Sequence, residues 1–193
     1  MQDPRLAPIK ILVVAPHTDD AELGAGASIN RWVGEGHQVL VANLSDTKNI
    51  VGEAAGLEMR KEASLASARL GLKDQDIVFG DFPTRHFSED RQGILDFLIQ
   101  LKSDFNPELV IGPSSTDTHQ DHAVVAQEVS RAFKSSTILG FDTYWNMPDG
   151  SLPFVIEVSN LNIEAKIGAL SEFQSQISKF YMQETNTMSQ ARM

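Results

Sequence analysis

Two short clusters of histidine and acid stand directly behind apolar runs. His17-Thr18-Asp19-Asp20 follows Ile9 to Ala15, and His119-Gln120-Asp121-His122 follows Leu109 to Ile111. Such side chains at the carboxyl end of a buried strand lose hydration, which a bound cation or a transferred proton offsets. His17 and Asp20, three apart in a tight turn, can reach one cation, while Asp19, pointing elsewhere, can take a proton from water. His119 and His122, three apart on a first helical turn, share a face. A catalytic zinc site needs about three nitrogen or oxygen ligands and an open position. Neither cluster supplies all of these alone, so the two are expected to meet.

Each cluster also has a plainer account. Asp19 and Glu22 have the N-cap and N3 spacing of a capping box, as do Thr118 and Asp121. Capping explains the acids but not His17, and two of the chain's five histidines fall within four residues. Gly24-Ala25-Gly26-Ala27-Ser28 loosely resembles a dinucleotide fingerprint. Its glycines fall inside a helix, and no acid ends the second strand, so close helix packing is the better account.

The elements that must position these residues read as alternating strands and amphipathic helices. Ile9–Ala15 is apolar almost throughout, as in a strand covered on both faces. A helix spans about Asp19–Glu35, and a second strand His37–Leu44, with His37 structural on the opposite edge. Ser45–Val51 reads as polar loop. The next helix spans Gly52–Leu70, with Ala55, Met59, Ala63, Ala66 and Leu70 on one stripe and Gly71 at its C-cap. A strand at Asp76–Phe79, a loop at Gly80–Asp90 and a helix at Arg91–Phe105 follow. A strand at Leu109–Gly112 leads to the polar loop PSSTDTHQDH and a helix running to about Lys134. Thr137–Tyr144 and Phe154–Val158 read as strands, and a last helix begins near Leu161. This alternation predicts an α/β, Rossmann-like, mostly parallel sheet sandwiched between helices. Right-handed crossovers put all strand-to-helix loops on one edge, and ligands bind there where the strand order reverses. The first and fourth strands, which carry the clusters, are the expected pair. Arg85 and His86 lie in a loop on that edge and are candidate substrate contacts; a solvated loop pair is the alternative. Arg60 is a further candidate, on a helix where an exposed structural role competes.

At 193 residues, with 41% hydrophobic and 22% charged content, one globular domain is expected. Sixteen basic against 26 acidic residues give a net charge of −10, which repels phosphate backbones and anionic lipid, so neither nucleic acid nor membrane is an expected partner. Without cysteine there is neither thiolate ligand nor thiol nucleophile, which suits a reducing compartment. The first ten residues hold no signal-like apolar segment, and no run approaches the ~18 apolar residues of a membrane span. The chain reads as soluble and cytoplasmic, with a homo-oligomer left open.

PHTDDAELG followed by THQDH resembles the paired signatures of the LmbE-like, or PIG-L, family of zinc-dependent N-acetyl-sugar deacetylases. RKEASLASARLG resembles the family's second helix, and FGDFPTRHF, PELVIGPSSTDTHQDH and ILGFDTYWN match a bacterial branch in order. The resemblance covers nearly the whole chain, 1–193, as one deacetylase domain. It implies that His17, Asp20 and His122 ligate zinc, and that Asp19 is the general base. It further implies that His119 assists the tetrahedral intermediate and protonates the leaving amine, with Asp121 orienting a histidine. The substrate implied is a small N-acetylated amino sugar or conjugate, such as one of N-acetylglucosamine, and the products are acetate and a free amine. Fe(II) fits the same ligand set.

Three departures stand against the family pattern. Thr18 replaces a usual proline, Thr84 stands where many members have aspartate, and the chain ends at Met193 where a further arginine-glycine segment is expected. The domain is therefore expected to lack its C-terminal end. Two other functions compete: hydrolysis of a different N-acyl amide, and non-catalytic binding of a nucleotide or sugar nucleotide.

Overall fold

The computed structural model describes residues 7–147 and 154–191. The final residues, on which the expectation of a short C-terminal end falls, lie outside the described residues. Five strands form one parallel sheet in the order β3-β2-β1-β4-β5. These are β1 (Lys10–His17), β2 (Gln38–Ser45), β3 (Ile77–Phe79), β4 (Leu109–Pro113) and β5 (Thr137–Phe141). The helices are α1 (Asp20–Gly34), α2 (Lys48–Val51), α3 (Glu53–Arg69), α4 (Arg91–Phe105), α5 (Gln120–Ala132), α6 (Asn160–Leu170) and α7 (Glu184–Gln190).

Strand β1 explains the layering. It is buried from Ile11 to Pro16, and its side chains alternate between faces. Ile11, Val13 and Ala15 pack with Ile29, Ala66 and Leu170 of α1, α3 and α6. Leu12 and Val14 pack on the other face with Leu98 and Val125 of α4 and α5. Covered on both sides, the strand must be continuously apolar, and the sequence is. Glu128, fully buried on α5, accepts from Arg91 Nε on α4 at 2.8 Å, which ties that helix layer together.

The order reverses at β1. From it the chain steps outward to β2 and β3 on one side, then returns to β4 and β5 on the other. The crevice between the carboxyl ends of β1 and β4 is therefore the switch point, as the pattern predicts.

Several local expectations are corrected. The polar stretch after β2 contains α2, a single turn between two residues of positive φ, Thr47 (63°) and Gly52 (90°). So short a helix has no periodicity to read. On α3 the expected stripe holds at Met59, Ala63, Ala66 and Leu70 but not at Ala55, which is exposed while the adjacent Gly56 is buried. Phe154–Val158 is not a strand; Phe154 and Val155 are 62% and 76% exposed, and the Glu157 carbonyl accepts from the Arg31 guanidinium instead of a ladder. Strand β5 stops at Phe141, because the next residues turn so that the Thr143 hydroxyl reaches Asp117. Gly71, at φ 94°, ends α3 as expected. Among the described residues, no helix is long and apolar enough to cross a membrane.

The glycines of α1 serve packing. A Cβ at Gly24 would collide with the Phe141 ring, and one at Gly26 would lie 3.1 Å from Lys166 Cγ. An acid does follow β2, one residue beyond its end, but Asp46 is engaged by Arg60 Nε at 2.5 Å.

Candidate active site

His17 is the last residue of β1, and Asp20 opens α1 three residues later. The tight turn lets Asp20 Oδ2 accept from the His17 backbone N–H at 2.9 Å and lie 3.0 Å from His17 Nδ1. The loop after β4 brings His122, on the first turn of α5, to the same atom: His122 Nε2 is 3.1 Å from Asp20 Oδ2. The two clusters thus meet on one carboxylate oxygen.

Each ring is held from behind by a second acid. His17 Nε2 lies 3.0 Å from Asp121 Oδ2, which also accepts from the Arg85 backbone N–H at 2.8 Å. His122 Nδ1 lies 2.8 Å from Asp117 Oδ2. Asp117 is fixed in turn by the Thr143 hydroxyl at 2.6 Å and the His119 N–H at 2.8 Å. Asp117 and Thr143 escape the sequence reading. Asp117 lies inside the loop motif five residues before His122, and a loop carboxylate on this edge is the signal available. Thr143 has no local signal, since only the turn after β5 brings it there.

Neither capping box forms. Asp19 is the N-cap of α1 without a side-chain cap hydrogen bond, so its carboxylate is left to the cavity it lines. At α5 the cap is His119, whose Nδ1 accepts from Asp121 N at 3.2 Å. Neutral His119 therefore carries its proton on Nε2.

The electrostatics point to a cation. Burial depresses the His17 and His122 rings, yet the surrounding carboxylates outweigh it and raise them to about 9 and about 10. Burial opposes ionisation of Asp20, Asp117 and Asp121, but the facing imidazoles hold all three below their usual values. Asp19 goes the other way, raised to about 6 by burial and by the neighbouring charge of Asp20.

The donor set fits a metal ion. His17, Asp20 and His122 each offer one ligand atom, all within 4.8 Å of one another. A second trio, His17, His119 and Asp121, meets the same distance, but His119 Nδ1 is occupied as the helix cap, and Asp121 Oδ2 already takes His17 and the Arg85 N–H. In the first trio, carboxylates behind both histidines form the second-layer pairing common around ligating imidazoles.

Of the outlying candidates, only Arg85 lines the cavity of about 270 Å³ above this cluster. Its backbone sits at φ 71°, held by the bond from its N–H to Asp121. Arg60 is turned away, donating to Asp46 and to the Gly80 carbonyl at 3.1 Å and lying over the Phe79 ring. His86 is exposed and paired with Glu89 at 2.8 Å. Thr84, the departure from the family pattern, is buried in a hydroxyl cluster with Ser45 at 2.8 Å. His37 accepts from Ile9 N at 3.1 Å on the opposite edge, a structural role. The cavity also takes Trp145 from beyond β5, and Lys179 and Tyr181 from the segment after α6. Ser175 anchors that segment by donating its N–H and hydroxyl to buried Glu62 at 2.8 and 2.6 Å.

A parallel α/β sheet with paired His/Asp clusters at its switch point defines a class, the α/β proteins with a metal-competent site on this edge. Residues 12–133 match the PIG-L family, described as GlcNAc-PI de-N-acetylase, and the chain belongs to that family of deacetylases. The chain is 30% identical over 137 residues to the uncharacterized deacetylase YaiS of Escherichia coli K12, covering 69% of this chain and 73% of that one. The zinc-inhibited form of teicoplanin deacetylase Orf2 superposes with a TM-score of 0.78 at 19% identity, over 93% of this chain and 89% of that one. The hydratase GalB of Pseudomonas putida KT2440, which acts on 4-carboxy-2-hydroxymuconate, shares the fold at 0.72 and 18% identity, over 95% and 84% of the two chains. The fold alone thus leaves the reaction open, and the family match supplies it.

Proposed function

We propose that this deacetylase removes the acetyl group from an N-acetylated amino sugar or sugar conjugate, with a zinc ion held by His17, Asp20 and His122. The observation that carries the reading is the convergence of both histidines on Asp20 Oδ2, at 3.0 and 3.1 Å, beside an uncapped Asp19 in one cavity. Fe(II) is the competing ion for this ligand set.

When bound, the ion polarises the acetamide carbonyl and lowers the pKa of water. Asp19, with a carboxyl near 6, is largely ionised at neutral pH and accepts the proton of the attacking water. His119 Nε2–H donates a hydrogen bond to the developing oxyanion, and Asp19 passes the proton it took from water to the departing nitrogen. Asp121 supports this from two sides, orienting His17 through its carboxylate and His119 through its backbone N–H. Arg85 is the one outlying cation we retain as a substrate contact. The cysteine-free composition agrees with a cytoplasmic location.

Acetate release from N-acetylglucosamine conjugates, by metal-stripped protein with and without added Zn(II) or Fe(II), tests the reading. Metal-dependent release that disappears in Asp19→Ala supports it, and the more active ion identifies the metal. No release from any sugar, with zinc bound at one equivalent, overturns it.

A further inference from the structure

Arginines in this chain are held by acids, with one exception. The chain has 26 acidic against 16 basic residues, so carboxylates are plentiful. Among the described residues, Arg31, Arg60, Arg69, Arg91 and Arg131 all pair with Asp or Glu at 2.5 to 2.8 Å. The Arg85 guanidinium meets no carboxylate among those residues, although its loop contains one: Glu89 pairs with His86 at 2.8 Å instead. Arg85 is also the arginine that lines the cavity above the His/Asp cluster.

Solvation accounts for an exposed arginine, but not for the backbone that carries this one. Arg85 stands at φ 71°, in the left-handed region, which costs free energy for a residue with a Cβ. The conformation is held on both sides. The Asn49 amide accepts from the N–H of buried Thr84 and donates to its carbonyl, both at 3.0 Å. The Arg85 N–H donates to Asp121 Oδ2 at 2.8 Å, and its carbonyl accepts from Gln120 Nε2 at 3.4 Å. Asp121 Oδ2 lies in turn 3.0 Å from His17 Nε2, so one carboxylate oxygen joins the Arg85 backbone to a ring of the metal-binding trio. Lys179 lines the same cavity and also pairs with no carboxylate among the described residues. Its Nζ lies 5.4 Å from the centroid of the Tyr181 ring, and its charge reaches Asp19, favouring the ionised carboxyl. In a chain of net charge −10, whose overall field repels anions, two cations left unpaired at one cavity answer to a local charge.

We propose that Arg85, with Lys179, binds an anionic group on the substrate, so that the N-acetylated sugar carries a phosphate or a carboxylate in addition to its acetamide. The inference rests on the deacetylase reading above and specifies its substrate. Sugar hydroxyls and an acetamide are neutral and leave both cations unanswered. The planar fork of arginine matches the paired oxygens of a phosphate or a carboxylate with two parallel N–H bonds, and lysine adds a point charge. The anion is bound and not transformed: the acetamide remains the group hydrolysed, and the charged group sets which sugar is held and in what orientation. A clamped backbone serves this role, because a fork fixed at its base aligns an anchored substrate against the metal-binding cluster.

The test is acetate release by the zinc-loaded full chain, read as kcat/KM for N-acetylglucosamine, its 1-phosphate, its 6-phosphate and N-acetylglucosaminuronate, which carries a carboxylate in place of the C6 hydroxymethyl. A hydrogen bond between charged partners is worth about tenfold or more, so at least one charged compound should exceed the neutral sugar by about that factor, mainly through KM. Which compound does so tells phosphate from carboxylate. Glycine adopts φ 71° without strain, so Arg85→Gly removes the guanidinium and spares the loop, and a melting curve checks its fold. The variant should lower the charged-to-neutral ratio about tenfold. Arg85→Lys should keep part of the ratio, which a merely disturbed loop would not. Three charged compounds no better than the neutral sugar, or a ratio that Arg85→Gly leaves unchanged, overturn the anion site while leaving deacetylation standing. No release from any of the four, with zinc bound at one equivalent, removes the deacetylase reading and the anion site with it.

Discussion

Two sets of ionisable groups lie inside this protein, a few residues apart, and their surroundings push them in opposite directions. At the carboxyl edge of the sheet His17 and His122 are raised to about 9 and about 10 and Asp20 is lowered, so each is driven toward its charged form. In the helix layer behind, Glu22 is raised to about 8 and Lys166 lowered to about 8, each driven toward neutrality. Both sets are buried or half-buried; the partners differ. Edge groups face opposite charges at 2.8 to 3.1 Å. Among the described residues, Glu22 has only the Ser67 hydroxyl at 3.1 Å, and Lys166 only the Leu23 carbonyl at 2.6 Å. Desolvation therefore wins inside and loses at the edge. A cluster that keeps its charge when buried is one prepared for a cation and for moving protons.

The largest expected effect breaks the edge at Asp19, the acid of the cluster whose side chain caps no helix. Asp19→Ala should lower kcat by about 10²- to 10⁴-fold, the usual worth of a positioned base, while stoichiometric metal binding persists. Loss of the metal instead would make Asp19 a ligand.

Asp117→Asn sharpens the account of how His122 is held. The amide can still accept from Thr143 but no longer offers a charge to His122 Nδ1, so metal affinity should fall about 10- to 100-fold. Competition with a chelator of known affinity measures this, and an unchanged affinity would remove Asp117 from the design.

Lys166→Met probes the interior set through pH. The wild-type lysine keeps its proton in both states below about pH 8. Between there and its usual 10.5 the unfolded chain binds more protons than the folded one, so wild-type stability gains from this group as pH rises. The variant should lack that gain, which amounts to at most about 1.4 kcal/mol per pH unit. Urea titrations at pH 7 and pH 10 should show it more stable than wild type at the lower pH, with the gap closing at the higher. A constant gap would show that Lys166 ionises normally.

The smallest effect concerns Asn43, fully buried on β2 with neither amide atom partnered. Asn43→Leu should stabilise the fold by about 1 kcal/mol, because unsatisfied buried polar atoms carry a desolvation cost. Destabilisation would mean that the amide is hydrogen-bonded in solution, and the contrast between the two regions would narrow.

Much of this was legible in the chain alone, for reasons of period and locality. A strand buried on both faces must be apolar throughout, and helices on a sheet must carry one apolar stripe, so β1, α1, α4, β4 and the parallel order follow from pattern. The turn linking His17 to Asp20 spans three residues, and its chemistry is local. Contacts made across the fold carry no such mark. Tertiary structure decided that Thr143, from beyond β5, steadies Asp117, that Arg60 is taken by Asp46, and that of Arg60, Arg85 and His86 Arg85 reaches the cavity. It also made His119 the cap of α5 and left the Asp19 side chain uncapped, deciding between the two roles that spacing allowed. A capping box and a catalytic dyad share one spacing, and only the direction in which the turn points each side chain separates them. Strand Phe154–Val158 failed for the same reason: apolar alternation states that a segment can pair, while the neighbouring edge decides whether it does.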